Sequence, residues 1–162
     1  MKQDDLPKVL DALGKRINRW YESINCGGCC VYAVIIAEEL QMRGVETRII
    51  VGAHGAKHNI EKVKQRISNI GSKAEWCQNG VWFNHVGVEF KYKGRWYHYD
   101  TDGANRRQKQ FKEYEIYPGR LTVAEAKAVA DEEEGWNESF DRDRIPQLKK
   151  HVKRYLATTL PQ

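Results

Sequence analysis

The segment from Cys29 to Arg43 carries Cys30, Val31, Ala33, Val34, Ile35, Ile36, Ala37 and Leu40, apolar nearly all round a helix. A helix without a polar face has to be wrapped by the rest of its chain. It is too short to span a bilayer: its longest run of aliphatic and aromatic residues, Val31–Ala37, is seven residues, against the ~18–20 required. The chain has 162 residues, 41% of them hydrophobic, enough for one domain, 1–162, built round that helix. Its 27 Lys and Arg against 22 Asp and Glu leave +5, a mild excess that does not by itself imply nucleic acid. Four cysteines are too sparse for a disulfide scaffold, and three of them, Cys26, Cys29 and Cys30, fall within five positions. No basic stretch followed by an apolar one opens the chain, so a cytoplasmic protein without a secretory leader is expected. Clustered cysteines in that setting suggest a metal site or thiol chemistry.

The remaining pattern predicts an α+β domain. An amphipathic helix opens it, with Asp4 and Asp5 as cap candidates, Pro7 in the first turn, and Leu6, Leu10, Leu13 and Ile17 at helical spacing. The central helix follows Ser23–Gly28 and stops at Gly44. Val45–Ala53 reads as a strand, and the polar residues 54–80 as an insertion with a helix around Asn59–Ile70. Val81–Tyr92 and Arg95–Asp100 read as a hairpin through Lys93-Gly94, followed by a loop at 101–105. Residues 106–162 read as a helical C-terminal extension of a 1–105 core. Its first helix follows Thr122, spaced with Glu125 as a capping box, and its second runs from about Pro146 to Thr159.

The chemistry is expected where glycines turn the backbone into the central helix. The first amides of a helix lack intrahelical partners and carry partial positive charge, so they stabilise a thiolate placed beside them. A catalytic thiolate also needs an imidazole to move its proton and a group to orient that imidazole. His85 and Asp100 lie on the two strands of the hairpin. With 93 and 94 as a two-residue turn, facing residues have numbers summing to about 187, which puts Asp100 one diagonal step from His85 on the same face.

These residues carry a resemblance. Gly27, Cys29 and Ala33, then Gly44 and Arg48, then His85 with Glu89, then Trp96 with Asp100, are similar in order and spacing to the motifs of the transglutaminase-like branch of the papain-like superfamily. The resemblance covers Gly27 to Asp100. It implies a papain/transglutaminase-like core, a nucleophile-bearing helix on a small antiparallel sheet. It also implies that Cys29 is the nucleophile, His85 the base and Asp100 its orienter, with no cofactor. Gly87 stands where that family carries an aromatic residue, and neither the 54–80 insertion nor the helices after 105 have a counterpart in it.

The expected activity is therefore that of a cysteine-dependent hydrolase of the peptidase or amidase type, acting on a protein, peptide or amide through a thioester at Cys29. The same triad would serve an acyltransferase or transglutaminase, and the same fold could be a non-catalytic basic binding module. Asn25, with Trp20 and Tyr21 behind it, is the side-chain candidate for an oxyanion donor, and Trp82, with Trp76 and Trp136, is a candidate for an aromatic substrate cleft. A zinc site on Cys26, Cys29 and Cys77, with His85 or His54 and His58, is the metal alternative. His98 is an alternative base, Cys30 a core thiol, and His151 a solvent-facing residue on a basic helix. Nucleic acid and membrane are not expected partners.

Overall fold

The one-sided spacing of Leu6, Leu10, Leu13 and Ile17 becomes helix α1 (Leu6–Trp20), which buries all four. The computed structural model describes residues 6–22, 24–25, 27–54, 60–68, 82–105, 111, 114–132 and 140–160. Asp4 and Asp5, Cys26, Cys77, His58, Trp76 and Trp136 lie outside them. The apolar segment forms α2 (Cys29–Gln41), buried from Cys30 to Ala37. Gly44, at φ +74°, follows its end.

Five strands make an open antiparallel sheet in the order β4-β3-β2-β1-β5. They are β1 (Thr47–His54), β2 (Trp82–Tyr92), β3 (Arg95–Asp100), β4 (Gly103–Asn105) and β5 (Glu115–Ile116), with helix α3 (Ile60–Ser68) between β1 and β2. Lys93 (φ 48°) and Gly94 (φ 75°) both adopt left-handed backbone, so the β2–β3 turn follows the right-handed twist of its strands. Val88 pairs with Tyr99 and Glu89 with His98, the register summing to 187. After β5 come α4 (Val123–Glu132), a short 3-10 turn at Arg142–Arg144 and α5 (Ile145–Thr159). The Thr122 amide donates to Glu125 at 2.7 Å and the Glu125 amide to the Thr122 hydroxyl at 3.2 Å, closing the capping box.

Three expectations need correction. Residues 103–105 form an edge strand, held by pairing of Tyr99 with Ala104 and Asp100 with Gly103. The stretch after 106 is not helical throughout, since β5 and the Ile49–Leu121 bridge close the far edge of the sheet. Nor are its helices an appendage. α2 lies on β1 and β2 with one side, and α4 and α5 also pack against it. Tyr117, Leu121, Ala126, Phe140, Leu148, Val152 and Leu156 therefore share one core with α1 and α2. Among the described residues no helix is long and apolar enough to cross a membrane.

Candidate active site

The start of α2 is shaped by two glycines for different reasons. Gly27 has φ +111°, a conformation costly for any other residue. Gly28 is a contact point: a Cβ there would come within 2.9 Å of Ile24 and of the Phe140 ring. Gly28 also offers no side chain to cap the helix, and Cys29 stands at its positively polarised start. Cys29 is half-buried there, and its neighbour Cys30 points into the core with Sγ 3.2 Å from the Ala126 carbonyl. Cys29 shares a narrow crevice with Asn25, Tyr32, Val86, Gly87, Tyr99 and Asp100.

His85 and Asp100 meet as their register requires. His85 Nε2 lies 2.8 Å from Asp100 Oδ2, and the two residues are only 5% and 3% exposed. Immediately before His85 the β1–β2 ladder slips: His85 faces Gly52 while Phe83 faces Ala53. Such a bulge re-aims the side chains beside it. Nε2 is committed to Asp100, and Cys29 is the other group that acts on the imidazole. Burial drives the imidazole towards its neutral form. The hydrogen bonds and negative charges of Asp100 and Cys29 outweigh that, and the pKa rises to about 9.

Asp100 divides its carboxylate between two tasks. Oδ2 takes His85, and Oδ1 accepts the Asp102 amide at 2.8 Å, an Asx turn. The turn is braced from α1, where Gly14 has no room for a side chain against the Thr101 carbonyl. Asn18 Nδ2 donates to that carbonyl at 3.0 Å, and Asp11 accepts the Ala104 amide. Beneath Cys29, Tyr32 on the same helix hydrogen-bonds Tyr99 at 2.6 Å, one hydroxyl to the other, with both rings buried.

Phe111 closes the other side of His85, ring centroids 5.0 Å apart, and also abuts His98. It occupies the space above Gly52 and Gly87, where a Cβ would meet its ring at 3.1–3.2 Å. A ring from a distant segment thus fills the space beside Gly87. Glu89, on the His85 strand, binds His98 at 2.8 Å and Arg120 at 2.9 Å, and pairs with Arg48, whose guanidinium lies 3.9 Å from the Trp96 ring centroid. Burial pushes the Glu89 carboxyl up, but the hydrogen bonds from His98, Arg120 and Arg48 hold it well below the usual carboxylate range.

The side-chain assignments around this group fare differently. Asn25 lines the crevice, yet its amide serves the turn: Oδ1 accepts the Thr101 hydroxyl at 2.9 Å and Nδ2 faces Asp102 at 3.4 Å. Trp20 packs on His151 at the outer surface. Trp82 begins β2, and its side chain is outside the described residues. His98 belongs to Glu89. His151 is half-buried rather than solvent-facing, because the Tyr21 hydroxyl holds its Nδ1 at 2.8 Å. Among the described residues no three His, Cys, Asp or Glu side chains are grouped to hold a metal ion, and two of the cysteines considered for zinc lie outside them. Phe111, Arg120 and the Tyr32–Tyr99 pair escape sequence reasoning. Only the bare Gly87 beside His85 hinted at an incoming ring.

Comparison of the chain with protein-family models, with curated proteins and with solved structures finds no match.

Proposed function

We propose that the protein is a cysteine-dependent hydrolase of the peptidase or amidase type, on a core of the papain/transglutaminase-like kind. The observation that carries this reading is the buried hydrogen bond between His85 Nε2 and Asp100 Oδ2, with Cys29 acting on the same imidazole from a helix start that has no side-chain cap. A pKa of about 9 keeps His85 protonated at neutral pH, and the attacking species in this proposal is a Cys29 thiolate beside that imidazolium.

The reaction then follows from the geometry. The Cys29 sulfur attacks the substrate carbonyl, forming a C–S bond as the π pair moves to oxygen, where the Cys29 backbone amide can donate. The intermediate collapses, the C–N bond breaks, and the leaving nitrogen takes the proton from His85 Nδ1. Neutral Nδ1 next accepts a proton from water as its oxygen adds to the thioester. The C–S bond breaks, the acid departs, and the thiolate–imidazolium pair is restored. Asp100 fixes the ring throughout and remains ionised. An amine in place of that water would give acyl transfer with the same residues.

An activated ester such as p-nitrophenyl acetate tests the reading without knowledge of the substrate. Wild-type protein should release a burst of nitrophenol and carry one acetyl group on Cys29 by peptide mass, removable with hydroxylamine. Cys29→Ser should show no adduct there, and His85→Ala should slow acylation by about 10²–10⁴. If all four cysteines acylate alike, with the apparent pKa near 8.5 of an ordinary thiol, the proposal fails.

A further inference from the structure

α1 and α5 pack against each other, and the charged side chains they turn outward are cationic. α1 carries Lys8, Lys15, Arg16 and Arg19 against one acid, Asp11, which is bonded to the Ala104 amide. α5 carries Lys149, Lys150, Lys153 and Arg154 and no acid. Eight cations against one carboxylate give the two helices +7, so within a chain of +5 the other residues together carry −2. The entire positive excess of the protein lies on one pair of packed helices.

Helical spacing concentrates it. Lys8, Lys15 and Arg19 recur at i, i+7 and i+11, a stripe opposite the buried Leu10, Leu13 and Ile17. Lys150 and Arg154 stand one turn apart on α5, away from its buried Leu148, Val152 and Leu156. All eight cations are exposed, and, Lys8 aside, none forms an ion pair among the described residues.

The seam between the helices is aromatic. Trp20 is 44% exposed, its ring 5.0 Å from that of His151. The guanidinium of Arg16 lies 5.0 Å from the Tyr155 ring centroid and that of Arg144 4.4 Å from Tyr21. Unneutralised cations flanking an exposed indole match a strand that offers both phosphates and unstacked bases. A duplex presents phosphates but no open base face. A membrane surface calls for an apolar stripe beside the charge, whereas Trp20 and Met42 are the only exposed large hydrophobic residues among those described.

We propose that the α1–α5 face binds single-stranded nucleic acid, with phosphates on its Lys and Arg side chains and a base against Trp20. The proposal is independent of the chemistry assigned to Cys29.

Fluorescence anisotropy of a labelled mixed-sequence single strand of about 20 nucleotides, titrated with the full chain over a series of KCl concentrations, tests it. Neutralising about five phosphates gives a slope of log K against log salt near −3.5. Lys150→Glu with Arg154→Glu should weaken binding at least tenfold and flatten that slope by about 1.4. The milder Lys150→Gln with Arg154→Gln should change both in the same direction if the reversed pair folds poorly. Trp20→Ala should weaken binding about 5- to 150-fold with the slope unchanged, and Lys62→Glu on α3 should leave it unaltered. Any one of four results would overturn the proposal: no binding at low salt, no salt dependence, an equal loss in Lys62→Glu, or tighter binding to a duplex, polyglutamate or phosphatidylserine vesicles.

Discussion

Asp100 serves two contacts at once. An Asp before Thr101-Asp102-Gly103 suits a turn, and an Asp diagonal to His85 can meet the imidazole; one oxygen makes each contact. The hairpin arithmetic made that pair legible, because Lys93-Gly94 sets the register and the register sets which side chains meet. Phe111 was not legible, since nothing local links it to Gly87 twenty-four positions away. The division of labour at Asp100 separates charge from geometry experimentally. Asp100→Asn retains an Oδ1 acceptor for the Asp102 amide but removes the negative charge that helps raise His85. Because the folded His85 pKa is raised, the proton needed by the leaving group is present below about pH 9 and lost above it. Acylation by an amide-like substrate should therefore fall off above about pH 9 in the wild type. In Asp100→Asn the limb should move to lower pH and the rate drop by about 10²–10⁴. A pH–rate profile with its limb unmoved would separate Asp100 from the imidazole.

At the scale of elements, what could be read from the chain was what has a local cause. The helix at Leu6–Trp20 has its period, α4 its capping box, and the β2–β3 hairpin its two left-handed residues. β4 and β5 have three and two residues, too few for an alternating pattern to register; long-range pairing alone creates them. Glu89 belongs to this scale, because it ties β1 through Arg48, β3 through His98 and the approach to α4 through Arg120. Its carboxyl is held below the normal range, so its stabilisation is present above about pH 4.5, the unfolded value, and is lost as pH falls through the folded one. Glu89→Gln should cost about 1.5–3 kcal/mol at pH 7, because it weakens the charge-assisted hydrogen bonds of a buried carboxylate to the half-buried Arg48, His98 and Arg120. In urea unfolding across pH the deficit should shrink on acidification below about pH 4; a deficit constant down to pH 2 would mean that the lost interaction is not ionic.

For the whole molecule, the opening observation carries the furthest consequence. A helix apolar all round demands cover on two sides, and the sheet supplies only one. The segment after residue 105, which resembles nothing in the transglutaminase-like pattern, provides the other through Ala126, Leu148, Val152 and Leu156. The sequence could not show which segment would do this, because every amphipathic helix in the chain has an apolar stripe of the right kind. The shared core predicts that the Cys29–His85–Asp100 arrangement and α5 stand or fall together. Leu156, 0% exposed and more than a hundred residues from Cys29, is the place to ask. Leu156→Ala should destabilise the protein by about 2–5 kcal/mol, lowering the melting temperature by roughly 5–15 °C. Loss of helical circular dichroism and loss of selective Cys29 alkylation should shift by the same amount on one transition. An α5 that melts first while Cys29 keeps its reactivity would make the C-terminal helices a detachable cover, and the proposed site a property of residues 1–105 alone.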